Sequence, residues 1–315
     1  MAWVVLRRGA QLVFVLLAVT VLAFWMITLL PGDPAMQILG YGGDEAALER
    51  VRRELGLDDP FWSRYAAWLA GAVTGDLGTS YITSVPVGES LAQRMPVTLE
   101  LLLLSQVISL GLAVPAGLAA ARRPGGPLDR LLSTAAFGLL STPVFVSGVV
   151  LIMLFAVRWP LLPATGHTPF GVSPGGNLRS MLLPAVTLAA GQLAVYARVL
   201  RSDLVATLRE DYITLARARG LSPRRILWRH ALRPSAISLV TVVGLNLGAL
   251  IGGAVIIETL FGLPGVGRLI VEGILSRDYL VVQGGVLVVA VGYVLVNFAI
   301  DVVYGVLDPR IRHAS

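Results

Sequence analysis

DYITLARARGLSPRRILWRHALRPS, residues 211–235, interrupts a chain that is otherwise mostly apolar, and it carries six arginines in 25 residues. Leu204, Leu208, Tyr212 and Leu215 recur at helical spacing, so about Asp203 to Arg219 is predicted to form one amphipathic helix. Gly220 ends that helix as a left-handed cap would. Ser222 supplies an N-cap hydroxyl and Pro223 a favoured first helical residue, so a second short helix begins there. It is predicted to run to about Leu232, with Pro234 closing it. On this helix Arg225, Arg229 and Arg233 form a stripe at four-residue spacing, while Leu227, Trp228, Ala231 and Leu232 fall on the other side. A loop resting on anionic headgroups accounts for the charge alone. Two capped helices around a glycine turn favour a docking element for a cytoplasmic protein.

Composition sets the surroundings of this segment. The chain has 315 residues, 56% hydrophobic and 14% charged, with a mean hydropathy of +0.77. Those values exclude a soluble globular domain and indicate an integral membrane protein, expected to be all-α from its long apolar runs. Cysteine is absent, which removes disulfides and thiol catalysis. All 25 basic residues are arginine, and without lysine there is no Walker A loop, so the chain is not itself a P-loop ATPase.

Six apolar runs approach the roughly 20 residues needed to cross hydrocarbon. They lie near 10–30, 97–121, 131–157, 181–200, 235–257 and 281–305. The first follows Arg7 and Arg8 but is longer than a signal-peptide core and lacks a small-x-small cleavage site, so it reads as a retained helix. With the N-terminus inside, 16 of the 25 arginines fall in cytoplasmic pieces. The positive-inside rule therefore places both termini in the cytoplasm. The expected organisation is 1–30 (N-terminal segment and first span), 31–96 (a large extracytoplasmic segment), 97–305 (core with cytoplasmic loop 201–234) and 306–315 (cytoplasmic tail). Residues 31–96 carry nine acids from Asp33 to Glu89 against five arginines. Their Trp62, Tyr65 and Trp68 have two open readings, a surface for an extracytoplasmic partner or an anchor at the bilayer interface.

Within the spans, Gly244, Gly248 and Gly252 make a small-residue stripe, for contact with a partner subunit or for packing inside this chain. Pro115, Pro143 and Pro184 are candidate kinks. Polar residues there are few: Gln106, Gln192, Asn246 and Asn297, with Glu100, Glu258 and Asp301 near the ends. Gln106, Gln192 and Asn246 are the candidates for a translocation path. An ion-coupled secondary transporter is the alternative function, but it predicts mid-membrane ionisable groups and repeated halves, and neither is present. His167, His230 and His313 all lie outside the spans, which leaves an intramembrane hydrolase without a positioned base and argues against metal bound directly in a span.

The opening stretch resembles the cytoplasmic "EAA" coupling loop of ABC importer permeases, in which a glycine separates two short helices that dock on the ATPase subunit. Ala216 and Gly220 fall on that motif's last alanine and its glycine, and Leu232 on its later leucine. Thr214 and Leu215 depart from its Glu and Ala, His230 replaces an aliphatic residue, and Pro234 is shifted by one. LLPGDP (29–34), LGLDDPFWSRYAAWL (55–69), GDLGTSY (75–81), STPVF (141–145), GGAVIIETLFGLPGVGRL (252–269), SRDY (276–279) and LDPRIR (307–312) are similar in order and spacing to dipeptide, oligopeptide and nickel permeases of the first-subunit type. The resemblance implies a type I ABC importer permease fold with six transmembrane helices, multi-pass in the bacterial cytoplasmic (inner) membrane. It further implies a second homologous permease, two ATPase subunits or one fused ATPase chain holding ATP and Mg, an extracytoplasmic substrate-binding protein and surrounding membrane lipid. No cofactor, metal, nucleic acid or bond chemistry is expected of this chain. The residues expected to couple to the ATPase are Asp211, Ala216, Arg217, Gly220, Leu221, Arg225, Trp228, Arg229 and Leu232. FGLPGVG, residues 261–267, has no preceding strand and no lysine, so it reads as a tight turn rather than a phosphate loop.

Overall fold

The computed structural model describes the backbone of residues 2–28, 34–39, 44–54 and 56–307. Most of LLPGDP and LDPRIR lies outside these residues, as does the Asp301 side chain. The order is α1 (Ala2–Thr28), α2 (Pro34–Leu39), α3 (Glu45–Glu54), α4 (Phe61–Thr74), α5 (Val87–Arg122), α6 (Pro127–Ser141), α7 (Val144–Ile152), α8 (Pro174–Thr207), α9 (Asp211–Ala218), α10 (Pro223–Arg225), α11 (Leu232–Phe261), α12 (Val266–Ser276) and α13 (Tyr279–Leu307). Wide π turns extend α7 over Met153–Arg158 and join α10 to α11 over Ile226–Ala231. Helices dominate because an apolar chain in hydrocarbon must satisfy its backbone groups within each segment.

Among the described residues, α5, α8, the continuous rod Pro223–Phe261 and Tyr279–Phe298 within α13 are long and apolar enough to cross a membrane. α1 contributes a shorter apolar stretch, Val13–Met26. The expected single span 131–157 is instead a bent pair, α6 and α7, meeting at 104°. The break has a local cause. Thr142, placed before Pro143, is extended (φ −98°, ψ 123°), because the proline ring disfavours helical backbone in the preceding residue. Pro184, by contrast, sits inside α8 without ending it.

The chain divides into two compact units: residues 1–98 with 264–295, and residues 99–263 with 296–315. In the first, Val87 and Leu91 of α5 pack with Val266 and Leu269 of α12 and Val281 of α13. Glycine permits that approach. A Cβ on Gly284 would lie 2.7 Å from Val87 Cγ1, and one on Gly285 only 2.4 Å from Ile270 Cγ1. The hairpin before α5 is tied to the α12–α13 turn by Asp278, whose buried carboxylate accepts the Ser80 hydroxyl and, at 3.4 Å, the Tyr81 N–H. Burial pushes the Tyr81 phenol above its usual pKa; Arg64 opposes the shift, and Asp278 and Tyr279 add to it. Glu272 bridges Arg94 (3.1 Å) and Arg268 (2.7 Å). Of the three aromatic residues singled out in 31–96, only Trp62 is exposed. Tyr65 is buried against Phe24 of α1, with its hydroxyl 2.9 Å from Thr20 Oγ1, so these rings serve largely as internal packing.

In the second unit, α8 is the central element, packing on α6, α7 and α11. Its apolar face, Tyr196, Leu200 and Leu204, joins Ala113, Leu118 and Ala121 of α5 and Leu227, Ala231 and Leu239 of the rod. Asp129, in the first turn of α6, accepts both Arg201 Nε (2.8 Å) and Nη2 (2.6 Å) and also the Gly125 N–H (2.7 Å). The glycine stripe divides. A Cβ on Gly244 would lie 2.6 Å from Ile300 Cγ2, which is packing inside this chain, while one on Gly252 meets no described atom within 4 Å.

Gly285→Ala is expected to lower the unfolding temperature of the detergent-solubilised protein, since overpacking a fitted contact costs about 1–3 kcal/mol. Combined with Ile270→Ala, the loss is expected to be smaller than the sum of the two single losses, because the added methyl then enters the vacated space. Strict additivity in a thermal-shift series would refute the contact.

Candidate functional site

The arginine-rich segment forms two helices around a glycine turn, with three departures from the expected geometry. The first concerns continuity. α8 ends at Thr207 and α9 begins at Asp211, so Asp203–Arg219 is not one helix. Glu210 is extended (φ −68°, ψ 148°) at the start of α9, and the Arg217 guanidinium reaches back to the Leu208 carbonyl at 3.4 Å. That contact serves an orphan carbonyl at the end of α8.

The second departure is the buried face. Ile213 and Ala216, not Tyr212 and Leu215, point inward, packing with Ile226, Leu208 and Leu221. Tyr212 is 46% exposed and Leu215 53%. The restart at Asp211 turns α9 away from the phase of α8, so a periodicity carried through the break assigns the wrong face. Trp228 is likewise 48% exposed rather than on the burying side. The π turn over Ile226–Ala231 carries Ile226, Leu227 and Ala231 inward, leaving Trp228 on the outer surface with Arg225, Arg229 and Arg233.

The third is Pro234, which does not close the second helix: helical structure is unbroken from Pro223 to Phe261. A proline within a helix has no N–H for the carbonyl four residues earlier, here that of His230. The Tyr212 hydroxyl donates to that oxygen over a long 3.4 Å. Partial burial, then Glu210, raises the Tyr212 pKa, so the phenol keeps the proton it donates further into alkaline pH than a free phenol does.

The turn itself follows the expectation. Gly220 has φ +75°, its N–H donates to the Arg217 carbonyl (2.9 Å), and the Leu221 N–H donates to the Ala216 carbonyl (3.2 Å). This pair of bonds is the Schellman arrangement, completed by Leu221 packing back on Ala216. Ser222 Oγ accepts the Arg225 N–H at 3.4 Å. A Cβ on Gly220 would meet no described atom within 4 Å, so the glycine answers to its backbone angle, not to crowding.

Of the nine expected coupling residues, Asp211, Arg217, Gly220, Arg225, Trp228 and Arg229 are exposed. Ala216 is buried, and Leu221 and Leu232 are partly buried. The structure adds residues that the sequence reading did not assign to the site. A cavity of about 480 Å³ is lined by Arg217 and Arg224 of this segment together with Arg122 and Arg123 from the end of α5. No acid lines it, so it is a strongly positive recess beside the exposed apolar residues. The alternation of Tyr212 and Leu215 with charges on a short helix was the signal available for an outward apolar face.

The path candidates are only partly brought together. Tyr196 donates its hydroxyl to Gln106 Oε1 (3.2 Å), which also accepts the Ser109 hydroxyl (3.2 Å). Gln192 lies one turn before Tyr196 on α8, and its Oε1 is buried without a described hydrogen-bond partner. Asn246 instead donates to the Val242 carbonyl of its own helix (2.8 Å).

The profile described as "Binding-protein-dependent transport system inner membrane component" matches residues 113–313, which hold the whole segment, and its N-terminal companion matches residues 1–102. The chain belongs to this permease family. The dipeptide transport system permease protein DppB of Escherichia coli (strain K12) is 37% identical over 333 residues, covering 98% of each chain. A Brucella abortus (strain 2308) chain, provisionally described as a peptide transport system permease protein, is 40% identical over 313 residues, covering 99% of this chain and all of its own. A Sinorhizobium fredii chain, provisionally described as a peptide ABC transporter permease protein, is 38% identical over 309 residues, covering 98% of this chain. Family membership makes this a multi-pass inner-membrane subunit of a binding-protein-dependent transporter.

A positive φ costs an L-residue about 1–2 kcal/mol. Gly220→Val in this permease is therefore expected to reduce uptake by about tenfold at unchanged membrane abundance, whereas Gly220→Asn keeps most activity because asparagine tolerates the left-handed region. Equal uptake by the two variants, normalised to immunoblot signal, would refute the role of the turn.

Proposed function

We propose that this permease is one of two homologous subunits whose membrane helices line a pathway for di- or oligopeptides, with both its termini cytoplasmic. Residues 31–96 then lie outside, where a substrate-binding protein delivers the peptide. Two ATPase subunits, or one fused chain, bind ATP and Mg on the inner face. Nucleotide-driven closure of the ATPases pulls on α9 and on the start of the Pro223–Phe261 rod, and the pathway opens alternately to each side. This chain makes and breaks no covalent bond. Gln106, Gln192 and Asn246 are its proposed contacts with the polar peptide backbone.

The observation that carries this reading is the outward face of the two-helix segment. Exposed Tyr212, Leu215 and Trp228 accompany exposed Arg225 and Arg229, a composition suited to the centre of a protein interface. The peptide assignment rests on the names of the relatives. The family match leaves the ion-coupled alternative without support.

The test is gentle extraction of the tagged chain from its native membrane, with mass spectrometry of what accompanies it. A second permease and P-loop ATPases are expected, with ATP-dependent peptide uptake after reconstitution. A chain that purifies alone and supports uptake under an ion gradient without ATP would overturn the proposal. Trp228→Ala is expected to release the ATPase subunits, because truncating such an interface residue costs about 2 kcal/mol or more. The exposed position leaves the permease fold intact, so its own yield is expected to stay unchanged; retention of the ATPases at the wild-type ratio would refute the assigned docking face.

A further inference from the structure

A second cavity, with a lining distinct from that of the first, lies where α5, α6 and α8 meet. It measures about 220 Å³, and its walls include Ala116 and Ala120 of α5, Leu132, Ala136 and Leu140 of α6, and Ala197 of α8. Small residues on three helices leave a furrow, and the flanking surface of α6 is apolar and exposed at Leu128, Leu131, Phe137 and Leu140. Two guanidinium groups border it, in different states. Arg201 is held by both oxygens of Asp129, and the Gly125 N–H takes a further lone pair of that carboxylate. Arg198 is exposed, its guanidinium carbon lies 5.2 Å from the centre of the Phe137 ring, and it makes no ion pair among the described residues. The site therefore joins an apolar furrow to one uncompensated, positioned positive charge. Arg122 at the end of α5, Arg123 in the turn and Arg130 in α6, all exposed, raise the local potential further.

We infer that this furrow holds an anionic phospholipid of the inner leaflet, with its phosphate on Arg198 and an acyl chain along Leu132, Ala136 and Leu140. Basic recesses between membrane helices on the cytoplasmic side suit such headgroups, and a phosphate supplies the acceptor that Arg198 lacks. A hydrocarbon chain needs no hydrogen-bond partner, which matches the alanine and leucine walls. A helix of a second permease is the competing occupant, and it would have to bring a carboxylate to Arg198. The lipid seats on α8 and on the α5–α6 turn, the elements that lead into the docking segment, so it is placed to stiffen the base of the coupling machinery. The inference rests on the inward orientation proposed above.

The test uses the assembled transporter in nanodiscs of mixed phosphatidylcholine and phosphatidylglycerol, with native mass spectrometry of the lipid retained after release. Wild type is expected to retain phosphatidylglycerol, and Arg198→Gln to lower that fraction by about fivefold, the value of one basic contact near a membrane surface. Ala136→Trp, which fills the furrow with the charge intact, is expected to lower it as well. Arg50→Gln, a matched charge loss on α3, is expected to change nothing. Wild-type retention in both Arg198→Gln and Ala136→Trp would overturn the inference. So would a photoreactive residue at position 136 that cross-links to protein and not to lipid. Orientation is checked separately in this cysteine-free chain: Arg123→Cys is expected to react with an impermeant maleimide only in inside-out vesicles. Reaction from outside would refute the orientation while leaving a specific lipid site standing.

Discussion

A single carboxylate organises the end of the molecule that carries the basic two-helix segment. Asp129 is 4% exposed, and a lone charge so placed would be heavily penalised by lost hydration. It is instead met by a two-pronged guanidinium and a backbone N–H, the charge-assisted geometry that offsets desolvation most effectively. Arg201 remains about one-third exposed, so solvent moderates the strength of the pair, and its value is chiefly directional. Three pieces of backbone are held to one another: the turn after α5, the start of α6, and the penultimate turns of α8.

Beyond Arg201 the chain must leave α8, reverse and re-enter as α11, and each step is governed by where unpaired backbone groups find partners. Arg217 serves the Leu208 carbonyl, the Gly220 turn closes two carbonyls of α9, and Tyr212 serves the carbonyl that Pro234 leaves open. The π turn brings Leu227 and Ala231 into the core shared with α5 and α8 and keeps the helix continuous. A rod of 39 residues, about 58 Å at 1.5 Å per residue, thus runs from the basic segment into the membrane helix without a joint. The helix is unbroken along that length, although its backbone ladder lacks the one bond that Pro234 cannot donate.

Much of this was legible from local rules. The helical class, the approximate positions of the long spans, the left-handed glycine at 220 and the Ser222–Pro223 helix start all depend on chain-local chemistry: apolar run length, backbone sterics and N-cap preference. Faces were legible only while one helix continued. The helical phase is reset by the break at Leu208–Glu210, and a π turn changes the residues per turn at Ile226–Ala231, so periodicity does not carry across either. The bend after Thr142 was signalled by Pro143, but its 104° was not, since a proline permits a break without setting its angle.

The sequence by itself determined that the chain is a bundle of membrane-crossing helices with one basic, glycine-hinged segment, because hydrophobicity and backbone allowance belong to individual residues and their near neighbours. Only the tertiary structure decided which side chains that segment turns outward, that Arg122 and Arg123 share its recess, and that Arg201 is neutralised by Asp129 while Arg198 is not. Those outcomes depend on residues far apart in the chain meeting across helices (Arg122 and Arg224, 102 positions apart, share one recess), and no local pattern encodes a distance.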